Sequence, residues 1–145
     1  MGDLTVVNEW IKYAERDYGI AVHLSKTFHP LPVENICYNC QQAIEKTLKA
    51  ILICLADTYP KTHDIRELHQ LCKESGVDFR LTPIITRTLT RFATKSRYPD
   101  DVNEFIDTDT EIGLKYAAQV LTQASEFLDK AQKEAPKEDA TEETP

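Results

Sequence analysis

Apolar positions along this chain recur with the helical period, and the stretch from Tyr38 to Asp57 shows it most strongly. Cys37, Ile44, Leu48, Ile51, Leu52 and Leu55 share one arc, which Cys40, Ala43, Ala50 and Cys54 widen on one side. A helix apolar around most of its circumference is buried on several sides, so this stretch predicts the central helix of a bundle. Its polar stripe is Tyr38, Gln42, Glu45, Lys46 and Lys49. Glu45 and Lys49, one turn apart, read as a solvated ion pair. Gln41 falls inside the apolar arc, where its amide needs a partner.

The flanking sequence predicts further helices. Between about residues 6 and 26, Val7, Trp10, Ala14, Ala21 and Leu24 share a face. Asp17 lies in the same arc and requires a pairing partner, because a buried lone carboxylate is costly. Arg16 and His23 fall on the opposite, solvent side. A break at 29–35 contains Pro30 and Pro32, after which Glu34 or Asn35 can start the central helix. Asp64 followed by Glu67 is a capping-box pattern that starts a short helix from Ile65 to Glu74, ended by Gly76. Thr82-Pro83 opens the next helix, with Leu81, Ile85, Leu89 and Phe92 as its apolar side, and the helix stops before Pro99. Thr108 with Glu111 forms a second capping box, opening a last helix from Asp109 to about Glu134. Leu114, Leu121 and Leu128 recur there at seven-residue spacing, beside Ala117, Val120, Ala124 and Phe127.

Strand signals are nearly absent. The fold class is therefore all-α: an antiparallel four-helix up-and-down bundle with an additional short helix. Residues 1–133 form the bundle. Residues 134–145, EAPKEDATEETP, lack apolar periodicity and read as a disordered acidic tail.

Composition narrows the function. At 145 residues the chain fits one domain. A net charge of −7 argues against a general nucleic-acid binder but leaves room for a local basic patch, since the tail weights the total. No signal peptide or membrane span is evident. Four cysteines within helical patterns read as reduced thiols, placing the chain in the cytoplasm. Cys37-x-x-Cys40 lies on the buried arc without a second ligand pair, and His63 and His69 do not supply one, so no metal and no cofactor are expected.

Two places keep chemical potential. Asp64 is explained as a cap, but His63 before it has no structural explanation and can serve as an acid–base or phosphate-contacting group. Arg97-Tyr98 pairs a guanidinium fork with a ring, which suits phosphate contact and base stacking; Arg97 is equally a cation at a helix C-terminus. No Gly-rich phosphate loop, Ser/His/Asp arrangement or metal-binding HExxH pattern is present.

Taken together, Ala14, Asp17 and Ala21, the run Cys40-Gln41-Gln42-Ala43-Ile44-Glu45-Lys46 with Tyr38 and Lys49-Ala50, the segment Pro60 to Leu68 with Thr62-His63-Asp64-Ile65, and Arg97-Tyr98-Pro99 resemble the HEPN domain family over about residues 6 to 130. The resemblance is to small prokaryotic HEPN proteins paired with a minimal nucleotidyltransferase. It implies a helical bundle, a homodimer, and either a nucleotide or RNA ligand or metal-independent ribonuclease activity. Ribonucleases of the family carry Arg, four to six residues, then His. No histidine follows Arg97, and Arg16 and His23 match the spacing only within the first helix. The favoured reading is a nucleotide- or RNA-binding component of a toxin–antitoxin-like HEPN/nucleotidyltransferase pair, with Arg97, Tyr98, His63 and Lys46 as contacts and Asp17, Gln41 and Asp64 as polar support. The alternatives are a metal-independent endoribonuclease with a variant site and a non-catalytic structural dimer subunit.

Overall fold

A computed structural model of the chain describes residues 2–95 and 105–134, in which the only regular structure is helix. The elements are α1 (Leu4–Thr27), α2 (Val33–Ala56), α3 (Ile65–Glu74), α4 (Pro83–Lys95) and α5 (Asp107–Glu134). Four longer helices and one short one form the bundle, and α2 packs against all the others, as its wide apolar arc predicts. The Gly2 N–H donates to the Cys54 carbonyl at 3.1 Å, tying the start of α1 to the end of α2 and fixing the pair as antiparallel. Val7, Ala14 and Ala21 are buried along α1, and the two alanines let its backbone come close to α2. On α5 the close approach falls at Gly113, where an added Cβ would sit 3.1 Å from the Cys40 Cβ.

Helix ends follow local chemistry. Asp64 caps α3 by accepting from the Arg66 N–H at 2.9 Å. The back-bond expected from Glu67 is taken by the Thr62 hydroxyl oxygen, which accepts from the Asp64 N–H at 3.1 Å. The Thr90 hydroxyl oxygen, from α4, accepts from the Ile65 N–H at 3.0 Å. After α3 the chain turns through Gly76 at φ 108°, a conformation that favours glycine. Pro83 stands at the first position of α4 as expected, with Thr82 Oγ1 accepting from the Ile85 N–H at 3.3 Å.

Two starts differ from expectation. The helix α2 begins at Val33 rather than at Glu34 or Asn35, without a side-chain cap. Pro32 sets a fixed φ of −83° just ahead of it, and the Pro32 carbonyl already accepts from the Ile36 N–H at 3.0 Å. The helix α5 begins at Asp107, and Thr108 is not its cap. Asp109 Oδ2 reaches back to accept from the Ile106 N–H at 3.0 Å and holds the entry two residues earlier than expected.

All four cysteines are buried free thiols, which settles Cys37 and Cys40 as core residues. Burial pushes the Cys40 and Cys72 thiols up to about 12, and Cys37 higher, so none is a thiolate at neutral pH. Among the described residues no helix is long and apolar enough to cross a membrane.

Candidate functional site

The most polar part of the interior lies along one line of α2, formed by Gln41, Glu45 and Lys49 at successive four-residue steps. The sequence reading placed Glu45 and Lys49 on a solvated face. The structure corrects this: each is 5% exposed. They adjoin the edge of the apolar arc, only about 40° per step from Gln41, and the chain after α2 folds back to cover them. Tyr59 from that segment lies with its ring 5.4 Å from Lys49 Nζ and packs edge-on against Trp10 of α1 at 5.0 Å.

Glu45 is the hub. Its Oε1 accepts from Gln41 Nε2 at 2.9 Å and its Oε2 from Lys49 Nζ at 3.0 Å. The fully buried Gln41 thereby finds the partner its position demanded, and its own oxygen accepts from Gln42 Nε2 at 2.8 Å. Burial alone would raise the Glu45 pKa. Donation from Gln41 and Lys49, the Lys49 charge and the bond to His63 outweigh it and hold the carboxyl below its ordinary range. A buried, ionised carboxylate is therefore fixed in place.

His63 completes the cluster. Its Nδ1 lies 3.0 and 3.1 Å from the two Glu45 oxygens, while 75% of its side chain remains exposed. An ionised carboxylate only accepts, so Nδ1 carries the proton and Nε2 faces outward as the free ring nitrogen. This is a histidine fixed in tautomer and orientation by a buried acid.

Asp17 also gains the partner its position required. It pairs with Lys46 across α1 and α2, the two side chains being 16% and 27% exposed. Lys46 has three protons to donate and spends one on Asp17. The structure thus forms two clusters that adjoin on α2 at the consecutive residues Glu45 and Lys46: Asp17 with Lys46, and Gln41, Glu45 and Lys49 with His63. Asp64 stands apart as the α3 cap. Arg97 and Tyr98 lie outside the described residues, as does the chain beyond Glu134. Arg16 and His23 are exposed on α1, and the Arg16 guanidinium lies 4.9 Å from the centre of the Tyr13 ring. His69 is buried in α3 with Nε2 3.2 Å from Asp78, and burial lowers its pKa. Among the described residues no group of three or more His, Cys, Asp or Glu could hold a metal ion.

Comparison with known proteins identifies the bundle. A family model described as "HEPN domain" matches residues 7–135. The chain belongs to the HEPN family. A similar solved structure is the crystal structure of ST0689, an archaeal HEPN homologue. It is 22% identical, with a TM-score of 0.56, over 84% of this chain and 97% of that one. No curated protein matches. The HEPN match covers every residue of both clusters, and the agreement with ST0689 at this identity is one of fold.

Within this HEPN bundle, sequence reasoning missed the central part of Glu45 and the cover supplied by Tyr59 and Trp10. The signal available was the position of Glu45 one turn from Gln41 and one turn from Lys49. A buried amide calls for a nearby partner, and Glu45 is the nearest one in sequence.

Proposed function

We propose that this HEPN protein binds a nucleotide or RNA through the outward edge of His63, with Lys46, Arg97 and Tyr98 as further contacts. In this reading it is a homodimeric component of a toxin–antitoxin-like pair with a nucleotidyltransferase. The supporting observation is the Glu45–His63 bond. A histidine needed only for packing has no use for an ionised buried carboxylate that leaves most of its ring exposed. The homodimer draws support from α1, where Val6, Tyr13 and Ile20 stand 44%, 48% and 43% exposed at seven-residue spacing, the period of helix pairing. A second copy of the same helix fits such a stripe.

Titration with ATP and with short single-stranded RNA, followed by calorimetry, tests the ligand. The expected result is saturable binding that weakens about tenfold in His63→Ala, the loss of roughly one hydrogen bond accepted by Nε2 from the ligand. Absence of binding by either ligand, or identical binding by His63→Ala, refutes it. Sedimentation of the same samples should show a dimer; a monomer at all concentrations removes that part.

A second reading has its own observation. A carboxylate that orients a histidine is also how general acid–base groups are held. A metal-free ribonuclease using His63 would cleave RNA in chelator, and His63→Ala would abolish cleavage while remaining folded. Cleavage that survives the substitution comes from elsewhere.

A further inference from the structure

A concave surface lies at the junction of α3 and α4. It is a groove of about 440 Å³ lined by Asp64, Arg66, Pro83, Arg87, Thr90 and Arg91. Its composition runs against the rest of the molecule. The chain carries −7 overall, and eleven of its seventeen basic residues are lysines, yet among the described residues three arginines and no lysine line this groove.

The sequence explains the convergence. Pro83, Arg87, Thr90 and Arg91 fall on one stripe of α4 at three- and four-residue steps, while Leu89 and Phe92 turn the opposite side into the core. The hydroxyl of Thr90 docks this stripe on the first turn of α3 through the Ile65 N–H, bringing in Arg66. Arg91 is held in position: its guanidinium lies 3.6 Å from Asp109 and 5.5 Å from the centre of the Phe105 ring. Arg66 and Arg87 are exposed, and no ion pair holds either guanidinium among the described residues. Among the described residues the only carboxylate lining the groove, Asp64, is engaged in capping α3. Arg87 and Arg91, like charges one turn apart, disfavour the helix slightly. An anion between the arginines relieves that repulsion.

Guanidinium forks match phosphate oxygens in pairs, which an ammonium cannot do. We propose that the groove binds phosphate groups, with Arg66 and Arg87 as the movable forks and Arg91 as the fixed one. The source is either the polyphosphate of a small molecule or successive phosphodiesters of RNA. The proposal does not rest on the Glu45–His63 reading, since none of its three arginines belongs to that cluster.

Inorganic pyrophosphate is the probe, titrated into the full chain and followed by amide and arginine Nε resonances in NMR spectra. The expected result is saturable shifts at Arg66, Arg87, Thr90 and Arg91, with affinity falling about tenfold or more in Arg66→Gln and in Arg87→Gln. His63→Ala should bind pyrophosphate as the unsubstituted protein does, so that failure of the His63 site and failure of the groove are read separately. Arg80→Gln, at an exposed arginine outside the groove, should also leave binding unchanged. A short RNA without terminal phosphates added afterwards decides the source: displacement assigns phosphodiesters, and no displacement assigns a small polyphosphate. Shifts absent from the groove, or equal affinity in Arg66→Gln and Arg87→Gln, overturn the proposal. Both arginines are exposed, and the unchanged remainder of each variant's spectrum checks its fold.

Discussion

Glu45→Ala is expected to lower the unfolding free energy by about 3–5 kcal/mol. The substitution leaves the Lys49 ammonium charged, 5% exposed and without its carboxylate, and it removes the acceptor of the fully buried Gln41 amide. Both consequences act in the same direction. Removing the pair together is a different experiment. Glu45→Leu with Lys49→Met replaces two buried charges with apolar side chains of similar size and should recover the part of the loss that comes from the stranded Lys49, leaving the part that comes from the Gln41 amide. Urea denaturation measures all three proteins, provided the m-value is unchanged. A loss below about 1 kcal/mol for Glu45→Ala is the size of a surface ion pair and would contradict the buried one.

The same carboxylate sets a pH dependence. The folded protein holds the Glu45 carboxyl below its ordinary range, so the unfolded chain binds that proton more tightly. The contribution to stability is complete above the unfolded value of about 4.3 and is lost as pH falls through the lower folded value. Glu45→Ala should therefore lose less stability than the unsubstituted protein over that acid window.

Leu48→Ala is expected to cost about 2–5 kcal/mol. Leu48 is fully buried on α2, the helix that touches every other element, so a cavity there cannot close by movement of one neighbour. Leu55→Ala on the same arc should cost less, since Leu55 lies near the end of α2 and is only partly buried. Thermal or urea unfolding compares the two, and equal losses would mean that α2 is not central to the packing.

These two residues also mark what could be read in the sequence. Leu48 belongs to a periodic pattern, and periodicity is a local signal that survives without knowledge of the partner helix. The α2 arc, the alanines of α1, the Asp64 cap and Pro83 were legible for that reason. Asp17 and Gln41 were legible in a second way, as polar groups in apolar arcs that had to find partners; Lys46 and Glu45 are those partners. Glu45 and Lys49 were misread because their burial depends on Tyr59, which comes from the loop after α2, leaves no periodic trace and packs on Trp10 of α1. The Thr90 contact to Ile65 spans twenty-five residues and was hidden for the same reason. Local choice also went astray at α5, where Thr108 offered a good cap but Asp109 took the first turn.

The central claim is that a buried, ionised Glu45 holds His63 by Nδ1 and turns Nε2 outward. Long-range 15N–1H correlation spectra of the neutral imidazole test it directly, because they report which ring nitrogen carries the proton. The account predicts His63 protonated on Nδ1, with Nε2 as the nitrogen whose shift moves when ATP or RNA binds. His63 protonated on Nε2, or a ring whose two nitrogens ignore both ligands, would contradict it.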